Sequence, residues 1–172
     1  MVAIIDAPSD RQSPPYLTGF RQSDEHVADV KAAIAWARST FNIPVWLVGT
    51  SRGTQSAAHL AIELAGPEGP DGVVLTSTIL SDKRSRPVPS MTLSKIRVPV
   101  LVVHHETDGC AVCPFSDIPL LMSKLTNSPK KQLLAFAGGK NEGDPCEASA
   151  YHGFNGIESD VVQQMTNWIL GK

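Results

Sequence analysis

The sequence places a serine inside a short turn bounded by glycines, Gly49-Thr50-Ser51-Arg52-Gly53. An apolar run at residues 45–48 precedes this turn, and apolar residues at helical spacing follow it, which predicts a strand, a turn and a helix. In that setting a G-x-S-x-G pentapeptide lifts the serine hydroxyl above a sheet, because both glycines permit close backbone approach. Ser51 is therefore our candidate nucleophile. The alternative is a serine that only caps the helix after it.

Five apolar runs predict the strands that would carry this turn. They lie at residues 2–6, 45–49, 72–77, 98–104 and 132–137. Each run is continuously apolar, so both of its faces must be buried, which is typical of a parallel sheet covered by helices. Helical patterns run from Ser23 to near Phe41, from Gly53 to the Gly66-Pro67 turn, and over residues 119–125 and 159–170. We expect one α/β domain over residues 1–172, with three layers around a mostly parallel sheet of about five strands.

Composition excludes several classes of function. The chain has 15 basic and 17 acidic residues and a formal net charge of -2, so it lacks the positive field that gathers nucleic acid or anionic lipid. Its apolar runs are shorter than a bilayer span, and no signal peptide follows Met1. We expect no nucleic-acid partner and no membrane partner, and the sequence as written carries no targeting segment.

Taken together, the strand order and the Ser51 turn resemble the α/β-hydrolase superfamily. In that family the nucleophile comes first, an acid follows a late strand, and a histidine lies in a loop before the last helix. Asp108 stands after the apolar run at residues 98–103, and His152 stands between the final strand and the terminal helix. The resemblance therefore implies a catalytic triad in which His152 moves the proton of Ser51 and Asp108 orients the imidazole. It implies no cofactor and no metal.

Two other carboxylates compete with Asp108 for the acid role. Glu106 and Asp117 follow the same strand, and the alternative for each is a solvated loop residue. Four further histidines are present, at positions 26, 59, 104 and 105. The last two close a buried strand, where a hydrogen-bonded structural role is expected. His26 and His59 belong to helices, where we expect packing or surface roles.

The resemblance also implies a hole that stabilises the oxyanion, with the backbone N–H of Arg52 as one donor. In the family, the second donor comes from a loop upstream of a strand that residues 2–6 and the Asp6-Ala7-Pro8 pattern match. We therefore expect the chain to be truncated at its N-terminus relative to the family. One sheet edge then lacks its usual neighbour. Either the first strand moves beside residues 45–49, or a second copy of the chain covers the edge as a homodimer.

Three cysteines lie near these candidate residues. Cys110 and Cys113 follow Asp108, and Cys146 precedes His152, so one disulfide could tie the two loops together. We expect Cys110 to pair with Cys146, and the pair Cys113–Cys146 is the alternative. The spacing of cysteines and histidines does not match a structural zinc site. A stable disulfide would indicate an exported parent protein, so the cellular compartment is left open.

The segment at residues 78–97 is where many relatives insert a lid, and here it is short. An open, lidless site suits a small, accessible acyl substrate. The basic residues Lys83, Arg84 and Arg86 on this segment would attract an anionic substrate or form a solvated face. The sequence thus predicts a serine hydrolase that cleaves a carboxylic ester. The alternatives are a non-catalytic binding or scaffold domain with an incomplete oxyanion hole, and a peptidase or amidase that uses the same triad.

Overall fold

A parallel sheet of four strands forms the centre of the computed structural model, which describes residues 1–172. The strands are β1 (Trp46–Thr50), β2 (Gly72–Thr76), β3 (Val100–His105) and β4 (Lys131–Phe136), and they lie in that order across the sheet. The helices are α1 (Asp24–Phe41), α2 (Arg52–Glu63), α3 (Ile118–Lys124) and α4 (Glu158–Leu170). Because all three neighbouring pairs are parallel, the carboxyl ends of the strands meet at one edge.

Helices cover both faces of the two central strands, as the unbroken apolar runs predict, but the edge strands β1 and β4 each bury only one residue. Every residue of β2 and β3 is buried. Alternate side chains point to opposite faces, so Val73 and Leu75 pack with α2 and α3, whereas Val74 packs with α4. Helix α1 packs against α2 through a separate apolar cluster, which Val45 and Leu47 also contact. The prediction of a three-layered α/β fold is confirmed.

The helix ends follow local sequence signals. Ser23 caps α1, and its Oγ accepts a hydrogen bond from the backbone N–H of His26 at 3.3 Å. Asn42, in the left-handed conformation with φ of 50°, ends α1 just before Pro44. None of the helices combines the length and apolar character that crossing a membrane requires.

The predicted first strand at residues 2–6 does not form. This segment makes no backbone hydrogen bond to β1, and Val2 and Ile4 are 89% and 92% exposed. A cavity of about 1100 Å³ is lined by the segment on one side and by Trp46 and Val48 of β1 on the other. Backbone groups need a neighbouring edge within hydrogen-bonding distance to make a strand, and here no such neighbour is present. The sheet therefore has four strands, and the first strand did not move beside β1.

The segment at residues 78–97 is part of the core. Six of its apolar side chains are buried, namely Ile79, Leu80, Val88, Met91, Leu93 and Ile96. Two short 3-10 helices, Val88–Ser90 and Leu93–Lys95, shape this segment. It packs against α2 and the sheet instead of forming a helical lid.

Candidate active site

Ser51 lies where β1 ends and α2 begins. Its backbone has φ of 51° and ψ of −119°, a left-handed conformation that is rare for a residue with a side chain. The Ser51 N–H donates to the carbonyl of Thr76 at the end of β2, at 3.0 Å. Ser51 occupies the N-cap position of α2, yet its side chain accepts no capping hydrogen bond. The hydroxyl is left for another partner, which disfavours the alternative of a simple cap.

The two glycines of the turn differ in what they allow. A Cβ atom on Gly49 would collide with the backbone of Gly53 and come within 2.9 Å of the Thr54 nitrogen, so this position requires glycine. A Cβ atom on Gly53 would meet nothing within 4 Å. The expectation that both glycines permit close approach is therefore wrong for Gly53. That residue instead lines the large cavity beside β1.

Asp108 and His152 meet beyond the carboxyl end of β3. The Nδ1 atom of His152 lies 2.9 Å from Oδ2 of Asp108, and the side chains are 4% and 0% exposed. The rival Glu106 is exposed, and neither it nor Asp117 forms a hydrogen bond with His152. Of the three carboxylates considered from sequence, Asp108 is the one next to the histidine.

This contact defines the state of the imidazole. A carboxylate can only accept, so Nδ1 of His152 donates to Asp108, and in the neutral ring the lone pair is on Nε2. Nε2 is buried and has no hydrogen-bond partner, which means that Ser51 Oγ does not bond to it in this structure. An unsatisfied acceptor in a buried position is uncommon, and it leaves His152 free to accept a proton.

Ser77, at the end of β2, is a site residue that sequence reasoning missed. Its Oγ donates to the backbone carbonyl of His152 at 2.6 Å, and it is fully buried with φ of 45°. The thiol of Cys113 in turn donates to the carbonyl of Ser77 at 3.3 Å. The signal available in the sequence was only its place after a predicted parallel strand, where functional residues collect. Ser77 fixes the backbone of the histidine loop.

A disulfide joins Cys110 to Cys146, as the first of the two proposed pairings has it, so the alternative Cys113–Cys146 is wrong. The backbone N–H of Cys110 donates to Oδ1 of Asp108 at 2.9 Å, so one end of the disulfide is bonded to the acidic residue of the site. Cys113 is a buried free thiol, and burial raises its pKa to about 12. The ligand atoms of Cys110, Cys113 and His152 lie within 4.8 Å of one another, but the Cys110 sulfur is already bonded to Cys146. This set does not fit a zinc ion.

The two histidines at the end of β3 have structural partners. Nε2 of His104 lies 2.9 Å from the carbonyl of Cys113, and Nε2 of His105 lies 2.8 Å from the carbonyl of Gly138. The ring of His105 stacks on Tyr151, the neighbour of His152. Burial lowers the pKa of His104, which keeps this ring neutral beside the site.

Arg52 contributes to the site through its backbone and its side chain. Its N–H belongs to the first turn of α2 and has no acceptor within the helix. Its guanidinium pairs with Asp82 and donates to Ser85 Oγ at 2.9 Å. Burial alone would raise the pKa of Asp82, but hydrogen bonds from Ser85 and Arg52 lower it far below its usual value. The Arg52 side chain is thereby neutralised and held on the segment at residues 78–97.

No protein-family model matches the sequence, and no curated protein sequence matches it. Solved structures do resemble it. A dienelactone hydrolase-like protein of Klebsiella pneumoniae aligns with a TM-score of 0.58 and 15% identity, over 85% of this chain and 60% of that one. A thermostable esterase aligns with a TM-score of 0.56 and 18% identity, over 84% of this chain and 36% of that one.

An α/β-hydrolase-like protein of Agrobacterium tumefaciens aligns with a TM-score of 0.55 and 16% identity, over 85% of this chain and 61% of that one. The chain thus spans between 36% and 61% of the length of these three proteins. At such low identity the likeness shows the fold, and it agrees with the turn and strand order seen here. The chain has the fold of the α/β-hydrolase superfamily.

Proposed function

We propose that the protein is a serine hydrolase that cleaves a small, accessible carboxylic ester through an acyl-enzyme on Ser51. The observation that carries the proposal is the pairing of His152 with Asp108, which leaves the buried Nε2 atom of His152 without a partner. Ser51 follows β1, whose carboxyl end lies at the same edge of the sheet as that of β3, and its hydroxyl is not used as a cap. Acyl transfer needs a nucleophile and a base whose nitrogen can accept its proton, both at the carboxyl edge of the sheet.

In the acylation step, Ser51 Oγ forms a bond to the ester carbonyl carbon while its proton moves to His152 Nε2. The carbonyl π electrons move to the oxygen, giving a tetrahedral oxyanion. When the oxyanion collapses, the bond to the alkoxide breaks, and the alkoxide takes the proton from Nε2 and leaves as an alcohol. A water molecule repeats the sequence on the acyl-serine and releases the carboxylic acid. Asp108 accepts a hydrogen bond from Nδ1 throughout and stabilises the imidazolium that forms.

The oxyanion requires donors near Ser51. The backbone N–H of Arg52 supports this role because it lies next to the nucleophile and is unpaired within α2. The positive end of the α2 dipole adds to the stabilisation of negative charge at this position. One oxyanion-hole donor contributes about 10²- to 10³-fold to turnover in enzymes of this type.

A small ester is supported by the shape of the neighbourhood. Ser51 is half-buried, and the segment at residues 78–97 packs into the core instead of forming a helical lid. The fold and the proposed triad serve amide cleavage as well as ester cleavage, so they do not distinguish the two substrates. An anilide substrate included beside the ester distinguishes the two.

A second candidate function is a non-catalytic binding domain. It is favoured by one observation, namely that Ser51 Oγ makes no hydrogen bond to Nε2 of His152. Contacts between catalytic groups often tighten only when substrate binds, so the first proposal does not require this bond in the free protein. The two candidates differ in whether Ser51 turns over an ester.

The test is hydrolysis of 4-nitrophenyl acetate by the purified protein and by the variants Ser51→Ala and His152→Ala. We expect turnover in the wild type and a loss of at least about 10³-fold in each variant. Ser123→Ala, which removes an exposed hydroxyl from α3, is the matched control and should keep wild-type activity. Equal rates for wild type and Ser51→Ala would reject the serine mechanism and support the binding domain.

A further inference from the structure

Four arginines in this protein are half-buried, and three of them have an acidic partner. Arg11 pairs with Asp10, Arg38 with Asp71 and Arg52 with Asp82. Arg21 is the fourth, and its guanidinium forms neither an ion pair nor a hydrogen bond with any protein group. Partly removing a cation from water without pairing it is unfavourable, so such a residue calls for an explanation.

Contacts around Arg21 hold it close to the start of α2. The short 3-10 helix Phe20–Gln22 carries it, and Phe20 is buried. Next to it, Gln22 donates to the carbonyl of Arg86 at 3.2 Å, and Gln55 of α2 donates to the same carbonyl at 2.8 Å. One backbone oxygen therefore ties the helix that bears Arg21 to the helix that follows Ser51.

Arg21 also faces open space that reaches the turn of the nucleophile. It lines the cavity of about 1100 Å³ beside β1, together with Gly53 and Ser56 of the first turns of α2. Gly53 stands two residues after Ser51, and it presents no side chain to that cavity. A ligand held by Arg21 would therefore extend toward Ser51 without a side chain of Gly53 in its way.

The charges at this junction leave Arg21 uncompensated. Asp82 is occupied by Arg52, and Arg52 lies near enough to Arg21 that its charge, added to burial, lowers the pKa of Arg21. Asp6 and Asp29 line the same cavity, but neither forms an ion pair with Arg21. One unpaired guanidinium can form an ion pair with one negatively charged group of a ligand. A guanidinium donates two parallel hydrogen bonds to a carboxylate, and a carboxylate carries a single negative charge.

We propose that Arg21 binds a carboxylate of the substrate, so that the ester cleaved at Ser51 is one that carries a free carboxylate. This inference rests on the proposed hydrolase function and adds its substrate class. The cavity beside β1 receives the part of the substrate between that carboxylate and the reacting ester. Arg21 is thus the specificity-determining residue of the site.

Two matched pairs of esters test this. Mono-4-nitrophenyl glutarate and 4-nitrophenyl pentanoate differ by a carboxylate on the acyl side, whereas 4-acetoxybenzoate and methyl 4-acetoxybenzoate differ by one on the alcohol side. We expect at least one pair to show a ratio of kcat/KM, charged to neutral, of about ten- to a hundredfold in the wild type. Arg21→Gln should bring that ratio close to one, and Arg21→Lys should give an intermediate ratio because it keeps the charge and loses the fork.

A purely structural role of Arg21 would lower both rates of a pair together and leave the ratio unchanged, which would overturn the proposal. Arg97→Gln is the control for the general electric field, because Arg97 is exposed and does not line the cavity. It should keep the wild-type ratio. A wild-type ratio of one or less in both pairs would also overturn the proposal.

Binding of glutarate separates this proposal from the hydrolase mechanism. Calorimetry with the Ser51→Ala protein should detect glutarate binding. The double variant with Ser51→Ala and Arg21→Gln should bind glutarate about tenfold more weakly or weaker still. If Ser51 proves unreactive while glutarate binding depends on Arg21, the anion site stands and the hydrolase does not. If the protein turns over esters with no charge preference and binds no glutarate, the anion site is wrong and the hydrolase stands. Absence of both turnover and glutarate binding rejects both.

Discussion

The two halves of the candidate site are stabilised in different ways. Asp108 and His152, 44 residues apart, meet with both side chains buried and are held by Ser77, by a backbone amide and by a disulfide. Ser51 is half-buried and is held by a strained turn that needs a glycine at position 49. The histidine half therefore depends on bonds between distant segments. The serine half depends on local backbone geometry, so each half should fail through different substitutions.

The largest effect is expected at the acid of the histidine half. Asp108→Asn keeps the shape of the side chain but favours the wrong tautomer of His152, so turnover of 4-nitrophenyl acetate should fall about 10³- to 10⁴-fold. Asp117→Asn is the matched control and should leave the rate within about twofold, since Asp117 does not touch His152. A loss below tenfold for Asp108→Asn would show that the histidine works without this partner.

Removing the disulfide of the histidine half should have the next largest effect. The Cys110–Cys146 bond closes a loop with a sequence separation of 36, and Cys146→Ser should lower the free energy of unfolding by about 3–4 kcal/mol. Urea denaturation measures this change, and wild-type protein treated with a reductant serves as the matched comparison. Equal stability of the two oxidation states would mean that the disulfide does not support this half.

In the serine half, replacing one glycine of the turn should destabilise the fold, whereas replacing the other should not. Gly49→Ala forces a Cβ atom into the backbone of Gly53 and should cost about 1–3 kcal/mol in unfolding free energy. Gly53→Ala places a methyl group in open space within a helix and should be neutral or stabilise by up to about 1 kcal/mol. Urea denaturation of both variants compares them directly. Equal losses would contradict the asymmetry of the turn.

The smallest effect concerns pH. Burial lowers the pKa of His26, His59 and His104 in the folded protein. As pH falls below the ordinary histidine value of about 6.5, the unfolded chain binds protons that the folded chain does not, so stability decreases. Urea denaturation should give a lower free energy of unfolding at pH 5.5 than at pH 7.5. The difference should shrink in His59→Gln, and equal or higher stability at pH 5.5 would contradict the stated cause.

The contrast between the halves also explains what the sequence could predict. The turn around Ser51 is encoded within five neighbouring residues, and four of the five predicted strands formed at their expected places. The approach of Asp108 to His152 could be placed only by resemblance to a family, because no local pattern links residues 44 positions apart. Ser77 was missed for the same reason, since its partner is the carbonyl of His152.

Residues 2–6 show the opposite limit. Their apolar character favours a strand, but a strand needs a neighbouring edge, and the cavity lined by both β1 and this segment takes that place. The local apolar pattern of a segment does not show whether another strand edge is available for it to pair with. The same gap determines where Arg21 and Gly53 face open space, which the sequence alone does not reveal.

The activated state of Ser51 is the central claim, and covalent labelling tests it most directly. Purified protein is treated with a fluorophosphonate probe, and the adduct is detected by intact mass and mapped to a peptide, beside Ser51→Ala and His152→Ala. We expect one adduct, on Ser51, in the wild type and none in either variant. A folded wild-type protein that takes up no probe, or an adduct that persists in Ser51→Ala, would contradict it.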